Sequence, residues 1–332
     1  MKRRAGGVAL PSFAKVNLGL EVLGTRADGY HELRTLFQTV ALHDDVLLEP
    51  HPREVSVRCA HPGVPLDGRN LACRAAEGLR RWAGIRQGVT ITLVKRIPVA
   101  GGLGGGSSNA AAVLMALDRL WRLGLGPSGL HPHARRLGAD VPYFLMGGTA
   151  LGLGRGDEVY PLRRQVRAQV VLAFPGPAVS TAAVFARLDR SLTPREDSHT
   201  IFRFISNDSE GASTYSALTN ELEEAALQEA PDLADRVKAI RGILIREGAQ
   251  LALLSGSGSS YFGVFGDAAR ARRAHRAVRS AGFGAVRSRT LTFDQYRTIW
   301  WRSFATLSRA RGWVQGREGH HGDHGRQGHP RR

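Results

Sequence analysis

The residue types and spacing best suited to bind an anion lie in one glycine-rich stretch, residues 95–109. Five of six consecutive positions there are glycine, and Ser107 and Ser108 follow directly. Residues 88–94 alternate apolar and polar as a strand does, and residues 110–121 favour a helix. A strand, glycine turn and helix in this order aim free N–H groups and a helix dipole at one point. We predict that this loop binds nucleotide phosphates, the alternative being a tight turn without a ligand.

Two common nucleotide-binding motifs do not fit this loop. A Walker A sequence needs Gly-Lys-Ser or Gly-Lys-Thr after the glycines, and neither follows. The Gly-x-Gly-x-x-Gly spacing of dinucleotide-binding folds is not met either. The sequence therefore predicts a phosphate site of another type.

Lysine is rare enough in this chain to be informative, since only four of its 46 basic residues are lysine. Lys95 borders the glycine stretch, and Lys15 shares one face of a predicted strand, residues 13–23, with Asn17. Arginine cannot replace lysine where a compact point charge is needed. We interpret both lysines as site residues, with chance placement as the alternative.

Three further residues stand in contexts that suit a binding or catalytic site. Tyr30 and His31 follow a turn at 24–29 and could stack on a base, the alternative being a half-buried tyrosine and a surface histidine. Asp140 precedes Val-Pro and an apolar run, where an acidic residue either caps a helix or serves in a site.

The elements that must position these residues fall into two units of mixed strands and helices. In the first, strands are predicted at 13–23, 37–42, 44–50, 55–58, 88–94, 149–153 and 158–162, and helices at 71–83, 110–121 and 133–137. The second begins near residue 164, and its strands and helices, with a turn-joined strand pair at 249–265, suggest an α+β layer of ferredoxin-like type.

Two segments give no clear pattern. Residues 192–213 are polar without periodicity, and we interpret them as a mobile loop. The pattern also fails from Trp300 onward, and the Gly/His/Arg-rich residues 316–332 are expected to be disordered.

Size and composition point to a cytoplasmic globular enzyme. The 332 residues suffice for two domains, and 42 % hydrophobic residues fit a real core. Cys59 and Cys73 are not at metal or redox spacing, so reduced thiols and no metal site are expected. No apolar run reaches the roughly 18 residues of a membrane helix.

The net charge of +17 would ordinarily suggest nucleic acid or an anionic membrane as a partner. Here the basic residues are spread along the chain and are not interleaved with aromatic ones. We therefore expect neither specific nucleic acid nor membrane as a partner. The chain is expected to be a monomer or weak homodimer.

Four motifs together resemble the GHMP kinase superfamily, which contains galactokinase, homoserine kinase and the mevalonate kinases. They are Ala14-Lys-Val-Asn-Leu18, the stretch from Ile97 to Ser108, Leu137-Gly-Ala-Asp-Val-Pro142 and Leu254-Ser-Gly-Ser-Gly-Ser259. Within it, residues 26–31, 36–40, 179–185 and 220–223 are similar to the branch that acts on a cytidine-diphosphate derivative of methylerythritol. The match runs from about residue 10 to 295 in the family's order.

The resemblance implies ATP-dependent phosphorylation of the 2-hydroxyl of the methylerythritol part, a step of the non-mevalonate isoprenoid pathway, with Mg²⁺ as a cofactor. It implies an ATP-binding domain over 1–163 that resembles ribosomal protein S5 domain 2. A ferredoxin-like domain over 164–295 and a basic tail over 296–332 would follow. The fold class is thus a two-domain α+β kinase.

The resemblance also assigns site residues, position by position. Lys15 and Asp140 fall on the catalytic lysine and the catalytic acid that accepts the hydroxyl proton. The positions that would contact ATP are Lys95, Pro98, Val99, Ala100, Gly101, Gly102, Leu103, Gly104, Gly105, Gly106, Ser107 and Ser108. The positions that would contact the cytidine-bearing substrate are Asn17, Tyr30, His31, Thr181 and Phe185.

Three other functions remain open on the sequence. A kinase of the same superfamily acting on mevalonate or homoserine would have no use for Tyr30 and His31. A non-catalytic nucleotide-binding protein on the same fold would be expected to lack Asp140 or Lys15. A nucleic-acid-binding protein is suggested only by the net charge.

Overall fold

The computed structural model describes residues 7–176, 178–189, 199–206, 215 and 217–305. Its first part is a six-stranded sheet in which β2 pairs with β1, β4 and β5, β3 lies outside β4, and β6 lies outside β5. The strands are β1 (Val8–Thr25), β2 (His31–His51), β3 (Val55–Cys59), β4 (Gly88–Val94), β5 (Thr149–Leu153) and β6 (Glu158–Pro161). The predicted strands at 37–42 and 44–50 are one long strand, β2.

Three helices and a short 3₁₀ helix cover this sheet: α1 (Leu71–Trp82), α2 (Gly105–Leu120), α3 (Gly126–Leu137) and Pro142–Leu145. Helix α2 is buried along most of its length because its alanines, such as Ala111 and Ala112, let neighbours approach closely. It is therefore a rigid support for the loop that precedes it.

The second part is an antiparallel four-stranded sheet made of β7 (Gln169–Phe174), β8 (Leu251–Leu254), β9 (Tyr261–Phe265) and β10 (Gly284–Arg289). Its spatial order is β10-β7-β9-β8, the order of a βαββαβ ferredoxin-like layer. The helices are α4 (Thr181–Asp189), α5 (Thr200–Ser206), α6 (Leu222–Glu229), α7 (Pro231–Arg246) and α8 (Ala268–Ser280). The α+β prediction is confirmed.

Two predictions about irregular segments are wrong where the structure describes them. Within the expected loop 192–213, α5 is a helix whose Ile201 and Phe204 are buried. Within the expected tail, helix α9 (Phe293–Ala305) buries Tyr296 and Trp300 in the core of the first part. Residues 192–198, 207–213 and 306–332 lie outside the described residues.

Two further predictions from the sequence concern the state of the cysteines and membrane-spanning helices. Cys59 and Cys73 are both free thiols. Among the residues described, the helices are too short or too polar to cross a membrane.

Candidate active site

The glycine loop, residues 98–106, turns from β4 into α2 through left-handed backbone. Gly102 has φ 74° and Gly104 has φ 68°, values that favour glycine. Helix α2 starts at Gly105, and Gly104 at its N-cap has no side chain to bond the first N–H groups. Because those N–H groups have no partner within the helix, an anion at this point would be well placed to accept from them.

Some glycines of the loop are needed for close packing within the protein, independently of any ligand. A Cβ on Gly102 would lie 2.0 Å from the carbonyl oxygen of Ser255, and one on Gly104 would lie 2.8 Å from Cζ of Phe144. A Cβ on Gly106, in contrast, would meet only Cδ1 of Leu71, at 3.9 Å. Close packing therefore explains Gly102 and Gly104, while the exposed Gly106 borders open space.

Lys15 and Asp140 meet beside this loop although they are far apart in sequence. Lys15 Nζ lies 3.3 Å from Asp140 Oδ2, and the Lys15 backbone N–H donates to the carbonyl of Leu103. The Lys15 side chain is 5 % exposed and that of Asp140 is 33 % exposed. The 3₁₀ helix after Asp140 has no side-chain cap, so the alternative that Asp140 caps a helix does not apply. A carboxylate partly open to solvent thus faces a buried ammonium.

Asn17 fixes the position of the Lys15 ammonium. Its Oδ1 accepts from Lys15 Nζ at 2.6 Å, while its Nδ2 donates to Thr35 Oγ1 at 2.8 Å. Because the ammonium bonds the amide oxygen and the Thr35 hydroxyl bonds the amide nitrogen, the two contacts fix the orientation of the Asn17 side-chain amide. Gly256, in the second part of the chain, packs against the same amide, since a Cβ there would lie 3.4 Å from Asn17 Oδ1.

Aromatic side chains lie at the turn between β1 and β2, the hairpin that also carries Asn17. The His31 ring stacks on Phe185 of α4 at 4.6 Å between centroids, and the ring of Tyr30 is 56 % exposed. Thr181 is hydrogen-bonded through its hydroxyl to Ser257 at 2.7 Å. The alternative of a surface histidine is wrong, because His31 is 8 % exposed. Both parts of the chain therefore contribute to one aromatic surface.

Arg155 was not singled out by the sequence. Its guanidinium lies 4.7 Å from the centroid of the Tyr30 ring, in the turn between β5 and β6. Asp157, 1 % exposed, accepts hydrogen bonds from Arg155 and from Arg135 of α3. These guanidinium groups hold the pKa of the Asp157 carboxyl below its usual range, against the effect of burial. The only hint of Arg155 in the sequence is the turn motif Gly154-Arg-Gly-Asp157, between two predicted strands.

Lys95, one of the positions predicted to contact ATP, is bound to other residues of the protein. Its ammonium is 6 % exposed and is bound to the carboxylate of Asp44, which is fully buried, and to Asn109 Oδ1 at 3.2 Å. Asp44 was not predicted, because nothing in its strand-like surroundings marks it as a site residue.

Metal ligands of the usual kind are not grouped in this region. Within the described ranges, no cluster of three or more histidine, cysteine or acidic side chains could hold a metal ion. A cation here would take its oxygen ligands from hydroxyl groups, from a single carboxylate or from a bound molecule.

Comparisons with known proteins agree on one family. The family model described as the GHMP kinases N terminal domain matches residues 70–148, and the GHMP kinases C terminal model matches residues 206–283. A relative from Chlorobium luteolum is 40 % identical over 269 residues, covering 80 % of this chain and 92 % of its own length. One from Syntrophus aciditrophicus is 40 % identical over 273 residues, covering 82 % and 95 %. Both are named 4-diphosphocytidyl-2-C-methyl-D-erythritol kinase.

Solved structures show the same likeness. A crystal structure of 4-(cytidine 5'-diphospho)-2C-methyl-D-erythritol kinase is 38 % identical, with a TM-score of 0.69, covering 85 % of this chain and 98 % of its own. Homoserine kinase from Cytophaga hutchinsonii is 20 % identical, with a TM-score of 0.67, covering 88 % and 96 %. The second likeness speaks to the fold alone.

Proposed function

The chain belongs to the 4-diphosphocytidyl-2-C-methyl-D-erythritol kinase family of the GHMP kinases, and we propose that it phosphorylates the 2-hydroxyl of 4-diphosphocytidyl-2-C-methyl-D-erythritol. ATP is the phosphate donor of this family. The step serves non-mevalonate isoprenoid synthesis. The observation that carries the proposal is the pairing of Lys15 and Asp140, 3.3 Å apart, beside the glycine loop.

The glycine loop would hold the ATP phosphates. Helix α2 begins without a side-chain cap, so its first N–H groups and its dipole can stabilise negative charge. Ser107 and Ser108, in the first turn of α2, add hydroxyl donors. Phosphoryl transfer through a loose transition state needs mainly positioning and charge stabilisation, and this arrangement supplies both.

Asp140 would accept the proton of the attacking hydroxyl, and Lys15 would stabilise the negative charge that develops on the hydroxyl oxygen. The burial of Lys15 supports this role, because an ammonium with little access to water acts strongly on neighbouring charge. The partial exposure of Asp140 supports its role as well, since an alcohol must reach the carboxylate.

Mg²⁺ fits the donor set in one way. With no acidic cluster among the described residues, the Ser107 or Ser108 hydroxyl would hold it together with phosphate oxygens. When bound, Mg²⁺ supplies positive charge that offsets the charge of the phosphates.

The cytosine end of the substrate would lie against the aromatic surface. Tyr30 offers an exposed ring for stacking, and the adjacent His31 adds its imidazole to this surface. Phe185 holds the His31 ring from behind at 4.6 Å. Asn17 bonds the Lys15 ammonium that faces Asp140, and Thr181 bonds Ser257, next to the Gly256 that borders Asn17. We therefore place the ribose and diphosphate along these groups.

The decisive experiment compares the wild type with Asp140→Asn, using ATP and the cytidylated alcohol. Asparagine keeps the shape but accepts no proton, so we expect kcat to fall by about 10²- to 10⁴-fold. ATP binding, measured by calorimetry, should stay nearly unchanged. An Asp140→Asn variant with full turnover would remove the assignment of the base.

A substrate panel tests the identity of the alcohol. We expect turnover with the cytidylated alcohol and little with mevalonate or homoserine, which have no base to contact Tyr30 and His31. Phosphorylation of mevalonate alone would overturn the proposed substrate while leaving the kinase activity.

A further inference from the structure

A buried carboxylate that the mechanism does not use lies beneath the glycine loop. Asp44, on β2, is 0 % exposed. Its Oδ1 accepts from the backbone N–H groups of Arg96 and Ile97, at 2.7 and 2.8 Å. Its Oδ2 accepts from the Lys95 ammonium and from Asn109 Nδ2, the latter at 3.1 Å. Four donors thus converge on one side chain.

These four donors come from the two ends of the glycine loop. Residues 95–97 lead into the loop from β4, and Asn109 lies in the first turns of α2, directly after the loop. The Asp44 carboxylate therefore joins the incoming and the outgoing chain. The middle of the loop is held by the Lys15 backbone N–H, which donates to the Leu103 carbonyl, and by the Ser255 hydroxyl, which donates to the Gly102 carbonyl. Asp44 adds the contacts that fix where the chain enters the loop and where it leaves it.

The same network reaches a residue expected to contact ATP. Asn109 Nδ2 also donates to Ser12 Oγ at 2.8 Å, and the Ser12 hydroxyl donates to Ser108 Oγ at 2.8 Å. Since Ser12 supplies the proton of that contact, the Ser108 hydroxyl keeps its own proton for another acceptor. Ser12 and Ser108 are both buried, so the chain of contacts is sheltered from water.

The charge of Asp44 also matters at the start of α2. Lys95 Nζ lies 3.1 Å from the place a Cβ on Gly105 would take, directly under the first residue of the helix. An ammonium is unfavourable at a helix N-terminus, and the adjacent Asp44 carboxylate neutralises it. The pair therefore leaves the helix dipole free to act on a phosphate.

We propose that Asp44 is a positioning residue for ATP. It holds both ends of the glycine loop, with Lys95 and Asn109 as its partners, in the conformation that receives the phosphates. Through Ser12 it also orients the Ser108 hydroxyl. The inference rests on the proposed ATP site, and it predicts a defect in nucleotide binding rather than in binding of the alcohol.

The test is Asp44→Asn. Asparagine can still accept from the two backbone N–H groups, but its NH₂ group then faces two other donors, Lys95 and Asn109. We expect the Kd for a non-hydrolysable ATP analogue, measured by calorimetry, to rise about 10- to 100-fold, as for lost hydrogen bonds to a charged group. KM for the alcohol should change much less than KM for ATP.

The matched control is Asp118→Asn. Asp118 is another buried aspartate, at the far end of α2, and among the described residues its carboxylate accepts only from the backbone N–H groups of Leu125 and Gly126. Within the part of the chain that the structure describes, it is hydrogen-bonded to no lysine or side-chain amide. We expect Asp118→Asn to bind the analogue as the wild type does, even if its unfolding temperature falls.

Ser12→Ala keeps the test decisive if Asp44→Asn does not fold. It removes one hydroxyl from the network, and we expect a smaller rise in the same Kd, about 3- to 10-fold, as for one neutral hydrogen bond. Analogue affinity equal to wild type in a folded Asp44→Asn or Ser12→Ala variant would overturn the inference. Because binding is measured without the alcohol, absence of turnover with the cytidylated substrate would count against the proposed function alone.

Discussion

Lys15 occupies a space that fits a narrow side chain. Its Cγ lies 3.1 Å from where a Cβ on Gly104 would be, and its Nζ is 5.6 Å from the centroid of the Phe37 ring. The ammonium is bound to Asn17 at 2.6 Å and lies 3.3 Å from Asp140. A planar guanidinium is wider and longer, so the site distinguishes lysine from arginine by shape as well as charge.

Lys15→Arg should therefore lower kcat by about 10²-fold or more, although the positive charge is kept. The expected cause is displacement of the charge from Asp140 and from the reacting hydroxyl. Steady-state kinetics at saturating ATP measure the effect. Lys238→Arg, on the exposed face of α7, is the matched control and should keep wild-type kinetics. Equal kcat values for the two variants would show that the shape of Lys15 does not matter.

At the residue level, the sequence singles out several residues that the structure places side by side, but not their contacts. Lys15, Asp140 and the glycine loop were identified because their motifs are specific. Asp44 and Ser12 were missed, since a buried aspartate and serine in strands look ordinary until the strands are paired. Lys95 was assigned to phosphate from its place in the chain, yet its partner Asp44 lies on another strand.

Among the elements, α6 is tied to β8 and β9 by one acidic side chain. Glu223 accepts from the backbone N–H of Leu254 at 2.9 Å and from the Tyr261 hydroxyl at 3.3 Å. Burial raises the pKa of the Glu223 carboxyl above its ordinary value, against the effect of these hydrogen bonds and of Arg241. Helix α6 therefore carries a titratable contact to β8 and β9.

The raised pKa gives a pH dependence with a definite sign. The unfolded carboxyl titrates near 4.5, and the folded one holds its proton to higher pH, so the folded state binds more protons in this window. Stability then falls as pH rises from about 4.5 through the raised pKa. Glu223→Gln removes this titration, so its unfolding free energy relative to wild type should increase over the same window.

Urea unfolding at a series of pH values measures that difference. Glu224→Gln, at the exposed next position of α6, controls for the loss of one negative charge. If the difference between Glu223→Gln and wild type were the same at every pH, the titration of Glu223 would not contribute to stability.

The sequence predicts elements whose residues show a clear local pattern, but not elements that fold only because they pack against residues far away in sequence. Helix α2 is rich in alanine and leucine, and the strands alternate, so local pattern sufficed. Helix α5 has seven residues and packs through Ile201, whose Cγ1 lies 3.1 Å from where a Cβ on Gly19 would be. Gly19 belongs to β1, far from α5 in sequence, so the residue pattern within α5 could not predict this contact.

Across the whole molecule, the chain returns to its first part after completing the second. The Ser255 hydroxyl donates to the carbonyl of Gly102 at 3.0 Å, which joins the second sheet to the glycine loop. Helix α9 follows β10 and packs into the first core, where the Tyr296 hydroxyl donates to the carbonyl of Phe144. A boundary at residue 295 would cut through this helix. We therefore expect both parts to unfold in one cooperative transition.

Two adjacent tryptophans of α9 test this expectation. Trp300 is 5 % exposed and belongs to the first core, while Trp301 is 46 % exposed and stacks with Arg119. Replacing a buried tryptophan by alanine costs about 3–5 kcal/mol, so Trp300→Ala should lower the unfolding temperature by on the order of 10 °C. Trp301→Ala should lower it far less, because less apolar area is lost from the core.

The transition itself should remain single in both variants, because α9 links the second sheet to the first core. Circular dichroism and calorimetry on the same samples measure whether the secondary structure and the heat absorption change together. Similar unfolding temperatures for Trp300→Ala and Trp301→Ala would mean that α9 contributes little to the core. Two separate transitions in Trp300→Ala would mean that the two parts are stable independently, and that the contacts between Gly102 and Ser255 do not hold them together.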